Sequence, residues 1–536
     1  MTQRTVRDDV IEVLRARGLT RMFANPGSTE VPFLIDLPAD LEFVLGLHEG
    51  SVVGMATGWA LARDEPALVL LHTTAGLGNA VGALATARAN RAPLVVLVGQ
   101  QDRRHLAHEP FLAGRLEGLA GTYPVSVEQP ITPQELPGAI GRAWHAATTR
   151  RGPALVVVPM DDWLAQAADE RDQPAAAGTV LRAAAVDPAA VDALVALLES
   201  AEHPALVVGS GADAQRAWDA LVELAERLDA PVWQEAFTAR AGFPQDHPRF
   251  VGHLPSDRAR LREVLEPFDV VVAVGAPAFR QYAFAPGPFY GPGTRVAVVT
   301  NDPDEAHRSA AELVVLAPVT PTCEALAARL PARERTSSRA APERPPDPGP
   351  TDGPLTAAHV FSALAWRLPR DAVVFEEAPS SKPELHARIA ARAPLGFLSP
   401  ANGGLGFAIP AAVGVRMALP ERPVVAIVGD GSSLYAIQAL WSAAHYGIGA
   451  VFVILANGGY AVMDRLAELQ GGMSVWPSFP EIDLSGLARS FGCPARRVSS
   501  FDELETALDE IVPGLAGRDE PLFLEVAVAP DASFVP

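Results

Sequence analysis

A chain of 536 residues, half of them apolar and a fifth charged, has the composition of a globular protein and is too long for one hydrophobic core, so about three domains are expected. A formal net charge of −20 argues against nucleic-acid and anionic-membrane partners, yet leaves room for a small diphosphate held by a metal and backbone amides. The two cysteines, Cys323 and Cys493, exclude a disulfide framework, the N-terminal stretch MTQRTVRDDV lacks the apolar core of a signal peptide, and no apolar run reaches the ~18 residues that span a bilayer, so a cytoplasmic location is expected.

Residues 1–168 read as repeated strand–helix units. Thr5 caps a first helix with Val6, Val10, Ile11 and Leu14 on one face. Apolar strands are predicted near Arg21–Ala24, Glu42–Leu47, Ala67–Leu71, Pro93–Val98 and Ala154–Val158, which together describe a doubly wound parallel sheet. In such a sheet the carboxyl ends of the strands share one edge, and ligands bind there. Ser28, Glu49, His72 and the pair Gln100-Gln101 each follow a strand and are expected to gather at that edge. Each has a plainer reading: a helix cap for Ser28, a first-turn acid for Glu49, a turn residue for His72. Gly76-Leu77-Gly78-Asn79 opens the next helix and is read as a site of close backbone packing. The loop Gln101–Arg115 carries His105, His108, Phe111 and Leu112, candidate pocket walls.

An acidic, Ala-rich linker near residue 170 leads to a second α/β domain over 185–330, with strands at Pro204–Val208, Pro231–Trp233, Val270–Val274 and Arg295–Val299. Gly209-Ser210-Gly211 is only a fragment of a dinucleotide fingerprint, and no nucleotide is expected there. Residues 331–354 are a Pro- and charge-rich linker.

The third domain, 355–536, holds the most informative stretch. Strand Val424–Val428 opens onto Gly429-Asp430-Gly431, a helix is predicted over Leu434–Tyr446, and strand Val451–Leu455 opens onto Ala456-Asn457-Gly458-Gly459. Two strand ends thus deliver a carboxylate and a side-chain amide to one edge, oxygen donors suited to Mg²⁺ or Ca²⁺. Strand Ala372–Phe375 leads into Glu376-Glu377-Ala378-Pro379-Ser380-Ser381. Asn402-Gly403-Gly404-Leu405-Gly406-Phe407 opens a further helix, and Leu522–Val528 is a last strand.

The GDG of 429–431, with Ala456-Asn457 after residues 432–455, resembles the thiamin diphosphate (ThDP) signature, GDG followed at a distance by NN. With NPGSTEVPFL at 25–34, LHEG at 47–50, LHTTAGLGNAVGAL at 71–84 and GGLGFAIPAAVGV at 403–415, nearly the whole chain resembles the ThDP-dependent 2-oxo acid decarboxylases, on their benzoylformate decarboxylase branch. The resemblance implies three doubly wound domains: pyrimidine-binding, middle and diphosphate-binding. It implies non-oxidative decarboxylation of a 2-oxo acid to an aldehyde and carbon dioxide through a ylid and an enamine. Glu49 would promote the imino tautomer of the pyrimidine, the Gly403 carbonyl would accept from its amine, and Leu405 would wedge the cofactor into a bend. Asp430, Asn457 and the Gly459 carbonyl would hold Mg²⁺ (or Ca²⁺). Gly431, Ser432 and Ser380 would meet the diphosphate, and Tyr460 would lie beside the cofactor. Ser28 would bind substrate and His72 would act in proton transfer. A homotetramer with active sites at subunit interfaces is also implied.

The chain departs from that pattern at several positions. Tyr282 stands where the branch carries a second histidine, Leu466 where it carries a pocket phenylalanine, and Pro379 where it carries a threonine. A tyrosine with a pKa near ~10 is a poor proton shuttle at neutral pH. The pocket residues Phe111, Leu112, Pro379 and Leu466 therefore predict an altered shape, and a ThDP-dependent carboligase or lyase acting on 2-hydroxy ketones is the alternative. A catalytically silent protein with the same fold is a third reading, disfavoured by Glu49, Asp430 and Asn457.

Overall fold

The computed structural model describes residues 4–168, 177–181, 184–333 and 345–530. Most of the expected first linker (169–176) and the centre of the second (334–344) lie outside the described residues.

Three six-stranded sheets follow one another along the chain. The first contains β1 (Arg21–Asn25), β2 (Glu42–Leu45), β3 (Ala67–Leu71), β4 (Leu94–Gln100), β5 (Ser126–Glu128) and β6 (Pro153–Pro159), in the order β2-β1-β3-β4-β6-β5. The second contains β7 (Pro204–Val208), β8 (Val232–Gln234), β9 (Phe250–His253), β10 (Val270–Val274), β11 (Arg295–Thr300) and β12 (Leu313–Leu316), in the order β12-β11-β10-β7-β8-β9. The third contains β13 (Val373–Glu377), β14 (Phe397–Leu398), β15 (Val424–Gly429), β16 (Val451–Ala456), β17 (Ala495–Val498) and β18 (Leu522–Ala527), in the order β14-β13-β15-β16-β18-β17. Neighbouring strands run parallel, as in the pairs β1–β3, β7–β10 and β15–β16. β3, β4 and β6 are buried at every residue, because helices cover both faces.

The strands that the sequence did not announce are edge or next-to-edge elements: β5, β9, β12, β14 and β17. β5, β9, β12 and β17 are short and only partly covered, and β14, though buried, is two residues long, so no continuous apolar run marks them. β2 ends at Leu45, two residues before the expected Leu47, because Gly46 and Leu47 already turn toward the next helix. The helix expected over Leu434–Tyr446 forms only over Ala439–His445; 434–438 is turn, and a separate short helix, Asp430–Ser433, precedes it. The break falls where Tyr435 passes Gly406, at which a Cβ would stand 3.0 Å from the Tyr435 Cβ.

The first and third sheets are joined backbone to backbone. Helix Glu49–Arg63 packs on helix Ala408–Ala418 across three glycines. A Cβ at Gly54 would lie 2.6 Å from the Pro410 ring, at Gly58 2.0 Å from the Ala411 carbonyl oxygen, and at Gly414 1.9 Å from that of Met55. Val52, Val53, Met55, Ala411, Ala412 and Val415 consequently belong to one buried core. The Leu45 N–H donates to the Tyr446 hydroxyl and the Leu45 carbonyl accepts from Ser442 Oγ, both at 2.8 Å.

The middle domain's own glycines serve close packing. A Cβ at Gly211 would come within 2.7 Å of the Gly275 Cα, and one at Gly275 within 2.5 Å of the Ala212 nitrogen. The domain meets the third through buried polar groups. Asp213 accepts from the Leu395 N–H at 3.1 Å, and burial pushes its carboxyl up to about 6 beside Arg240. His253 and His386 stack with ring centroids 3.8 Å apart, and neither Nε2 has a hydrogen-bond partner. Burial pushes His253 down to about 3 and lowers His386 as well, with Lys382 adding repulsion.

Two outcomes are expected. Gly58→Val forces a side chain onto the Ala411 carbonyl and should lower unfolding free energy by about 3 kcal/mol or more, measured by denaturant titration. A histidine whose folded pKa is depressed contributes stability that is complete above its unfolded pKa and lost as pH falls toward the folded one. The loss of stability between pH 7 and pH 4 should therefore shrink by about 1–3 kcal/mol in His253→Phe, read from melts across that range.

Candidate active site

At the first sheet's carboxyl edge, the turn after β1 lies directly against the residue after β3. A Cβ at Gly27 would stand 2.5 Å from the His72 ring, so only glycine lets the turn and ring touch. His72 Nδ1 lies 2.9 Å from Glu30 Oε2 and 3.0 Å from Thr29 Oγ1. Glu30 is 1% exposed; its Oε2 also accepts from the Gly27 N–H at 2.7 Å, and its Oε1 takes the Thr29 hydroxyl. With the Thr29 proton committed to Glu30, the Nδ1 contact with Thr29 Oγ1 can only be a donation from the ring, which places the proton on Nδ1. The His72 Nε2 is then the free basic nitrogen. Gly99 makes room for this carboxyl, since a Cβ there would overlap Glu30 Oε1 at 1.6 Å. Ser28 is exposed on the same turn.

Glu49 is the first residue of its helix, capped by His48 Nδ1 accepting from the Gly50 N–H at 3.0 Å. Its Oε2 accepts from Asn79 Nδ2 at 3.1 Å. It is half-buried. Gln100 does not face the edge. Its amide donates to the Gly114 carbonyl at 2.6 Å and accepts from the Gly114 N–H at 2.9 Å, pinning the loop after β4. On that loop Phe111 is 88% exposed, His105 and His108 are exposed, and Leu112 is half-buried. Gly76 packs 3.3 Å from the Leu71 backbone as expected, whereas Gly78 faces open space.

At the third sheet's edge, Asp430 is 3% exposed. Its Oδ1 accepts from the Gly431 N–H at 2.7 Å, and its Oδ2 from the Asn457 and Gly458 N–H groups at 2.9 and 2.6 Å. Burial raises its proton affinity, and these three donors oppose that. The carboxylate thereby ties the end of β15 to the end of β16. Asn457 Oδ1 accepts from the Gly459 N–H at 3.1 Å, so carboxylate, amide oxygen and the Gly459 peptide are adjacent. An all-oxygen set of this kind fits a hard divalent cation. Among the described residues no group of three or more His, Cys, Asp or Glu gathers around one point. Gly431 lies under the Tyr460 ring, 2.6 Å from a Cβ position, and Tyr460 packs edge-on to Phe479 at 5.1 Å. Ser432 is buried. Ser380 Oγ accepts from the Val462 N–H at 3.0 Å, which holds the start of helix Ala461–Leu469 beside Pro379. Leu466 lies on that helix, none of whose residues is buried.

Gly403 (φ +71°) and Gly406 (φ +87°) bracket Gly404-Leu405, with Leu405 half-buried. Arg280 donates to the Ala401 carbonyl at 3.2 Å and to Glu235 at 2.7 Å, which brings the segment carrying Tyr282 to this turn. Tyr282 itself is 62% exposed. The structure thus assembles two clusters: Ser28, His72 and Glu49 on one edge, and Ser380, Gly431, Ser432, Asp430, Asn457, Gly459 and Tyr460 on another. Among the described residues no hydrogen bond joins Ser28, Glu49 or His72 to Asp430, Asn457 or Ser380. Sequence reasoning missed Glu30, Glu377 and Asn79 as site-building residues. Only their positions just after a strand or in a helix's first turns hinted at them, and surface acids share that signal.

This fold and these edges define a three-domain α/β enzyme that holds a diphosphate cofactor. Residues 4–116, 191–326 and 383–526 match the N-terminal TPP binding, central and C-terminal TPP binding domains of thiamine pyrophosphate enzymes. The chain is 40% identical over 536 residues to a benzoylformate decarboxylase of Pseudomonas aeruginosa, covering 98% of each. The solved ThDP-dependent 4-hydroxybenzoylformate decarboxylase of Rhodococcus jostii superposes with a TM-score of 0.93 at 38% identity, over 99% of this chain and 100% of that one. Benzoylformate decarboxylase from Polynucleobacter necessarius gives 0.93 at 31% identity over the same shares. The chain belongs to the ThDP-dependent 2-oxo acid decarboxylase family, and it is a carboxy-lyase similar to the benzoylformate decarboxylases.

Asp430→Asn turns one acceptor oxygen into a donor facing N–H groups. It should destabilise the 457–459 turn by about 1–3 kcal/mol in the cofactor-free protein, seen as faster amide exchange there and a lower melting temperature.

Proposed function

We propose that this enzyme decarboxylates a 2-oxo acid bearing an aromatic or otherwise bulky group, benzoylformate among them, to the aldehyde and carbon dioxide, with ThDP anchored through Mg²⁺ (or Ca²⁺). The observation that carries the reading is the Glu30–His72 pair beside exposed Ser28, on one sheet edge with Glu49, in a chain 40% identical to a named benzoylformate decarboxylase. Bound ThDP supplies the carbon nucleophile and the electron sink for loss of carbon dioxide. Asp430, Asn457 and the Gly459 carbonyl hold the metal, and Gly431, Ser432 and Ser380 face the diphosphate. Glu49 would hydrogen-bond the pyrimidine, the Gly403 carbonyl would accept from its amine, and Leu405 and Tyr460 would lie against the cofactor. Ser28 binds the substrate carboxylate or carbonyl. Glu30 fixes the His72 tautomer, so Nε2 carries protons to and from the reacting carbon. Phe111, Leu112, Pro379 and Leu466 shape the pocket.

Two chains are needed in this reading, because Phe111, Tyr460 and Leu466 stand at uncovered rims of the single chain. A homotetramer built from such dimers is the proposed state, with Glu49 of one chain facing Asp430 of its partner. The domain limits are 1–168, 185–330 and 355–536. Among the described residues no helix is long and apolar enough to cross a membrane.

Tyr282 favours a second reading, carboligation or cleavage of 2-hydroxy ketones, since an exposed tyrosine replaces the histidine that would help protonate and release product. With ThDP and Mg²⁺ supplied, carbon dioxide release from a panel of 2-oxo acids decides between them. Rapid aldehyde formation is expected. Absence of release from every acid, with 2-hydroxy ketones formed from aldehydes, would select the second reading. Glu49→Gln and His72→Ala should each lower kcat ~10²–10⁴-fold. Chelation of divalent metal should abolish ThDP retention on gel filtration, restored by Mg²⁺.

A further inference from the structure

Glu377 ends β13 and is 2% exposed. Its Oε1 accepts from the Gly406 N–H at 2.6 Å, and its Oε2 from the Phe407 and Ala408 N–H groups at 2.8 and 2.5 Å. A helix start normally needs one short side chain at its cap position. Here Phe407 occupies that position and caps nothing, and the acceptor comes from another strand. The arrangement is unfavourable by itself. Burial, with Glu376 alongside, pushes Glu377 up to about 7 against the pull of its three donors.

The far side of the same turn is fastened from the first domain. Asn90 donates to the Ser399 carbonyl at 3.0 Å and accepts from the Ala401 N–H at 2.9 Å. Asn402 Oδ1 accepts from the Gly404 N–H at 3.1 Å and from Thr86 Oγ1 at 3.2 Å. Between the two clamps lies Gly403-Gly404-Leu405; the Gly403 N–H donates to the Pro400 carbonyl at 2.9 Å, and a Cβ at Gly403 would face open space. β13 also sets the other half of the cofactor edge. Glu377 pairs in register with Val428, two residues before Asp430, and Pro379 and Ser380 follow after Ala378.

We propose that Glu377 is a positioning residue: by holding the 406–408 amides it fixes where the Gly403 carbonyl and Leu405 stand relative to the diphosphate edge, and so how tightly ThDP would be held. This rests on the ThDP reading above. Neither Pro379, which departs from the family pattern, nor Ser380 can shift without moving the turn through this carboxylate.

The test compares Glu377→Gln with Val413→Ala, a core truncation in the same helix that leaves the turn untouched. Gln keeps one acceptor oxygen and turns a donor toward N–H groups. Three quantities are read with Mg²⁺ present: melting temperature, ThDP dissociation constant by fluorescence titration, and exchange of the thiazolium C2 proton in saturated enzyme. In Glu377→Gln, affinity and exchange should each fall ~10-fold or more, with partial recovery in Glu377→Asp, which keeps the charge. Val413→Ala should lower the melting temperature and leave both within ~2-fold of wild type. Wild-type values in Glu377→Gln, or equal losses in Val413→Ala, would overturn the assignment. Wild-type protein that binds no ThDP would overturn the cofactor reading itself, which separates the two failures. If Glu377→Gln does not fold, wild-type amide exchange decides. The 406–408 amides should be protected ~100-fold over that of Leu405, and equal exchange would count against the clamp.

Discussion

The contact on which the rest depends is that between Gly58 and Ala411, where two helices from different domains meet with no side chain between them. Each helix begins at residues proposed to meet the cofactor. Glu49 is the first residue of one, and the Gly403–Leu405 turn leads into the other. Glycines at 54, 58 and 414 bring the axes so close that sliding or rotation would drive carbonyl oxygens into methylene groups. Ridges-into-grooves packing of ordinary side chains tolerates more adjustment. The first and third domains therefore behave as one body, and the Glu49 helix start keeps a fixed relation to the turn that precedes Phe407.

Small residues play the same part at the edges. Gly27 lets the His72 ring lie on the turn after β1, and Gly99 admits the Glu30 carboxyl into the space above β4. Both allow a polar group to be buried where partners are already waiting. Glu30 receives a backbone N–H, a hydroxyl and an imidazole. Asp430 receives three backbone N–H groups, and so does Glu377. Burying a carboxylate without such donors would be strongly unfavourable. With them, each acid becomes a joint: Glu30 and Asp430 between two strand ends, Glu377 between a strand end and a helix start. The edges are thus organised by acids that serve the backbone first, which leaves the half-buried Glu49 and the exposed Ser28 free for ligands.

The apolar runs at β3, β4, β15 and β16 were legible because both faces of a central parallel strand are covered, so every position is apolar. β5, β14 and β17 were not, because an edge strand of a few residues carries no such run. The strand-end rule found Ser28, Glu49, His72, Asp430 and Asn457, since topology alone carries residues in those positions to a shared edge. It also placed Gln100 there, and the structure shows that amide spent on Gly114. No pattern separates a glutamine that faces a ligand from one that holds a loop. Glu30 and Glu377 were hidden for the complementary reason. Acids beside helix starts are common on any surface, and only the coordinates show theirs to be buried and fully bonded.

Helix Ala461–Leu469 completes the reasoning about assembly. It has no buried residue, yet it carries Val462, Met463, Leu466 and Leu469 and starts from the Ser380 hydroxyl. Beyond it Met473 and Val475 are more than nine-tenths exposed, as Phe111 nearly is on the other domain. A short helix gains most of its stability from tertiary packing of an apolar face, and a face left in water forfeits that. Scattered exposed apolar residues need no explanation, but here they lie along the rims of two sheet edges, and among the described residues no hydrogen bond joins Ser28, Glu49 or His72 on one to Asp430, Asn457 or Ser380 on the other. A second copy that set the Phe111 rim against the Leu466 rim would cover both at once. The pocket's selectivity would then be written jointly by two chains, so that a change at Leu466 alters the surroundings of a substrate held by the partner's first domain.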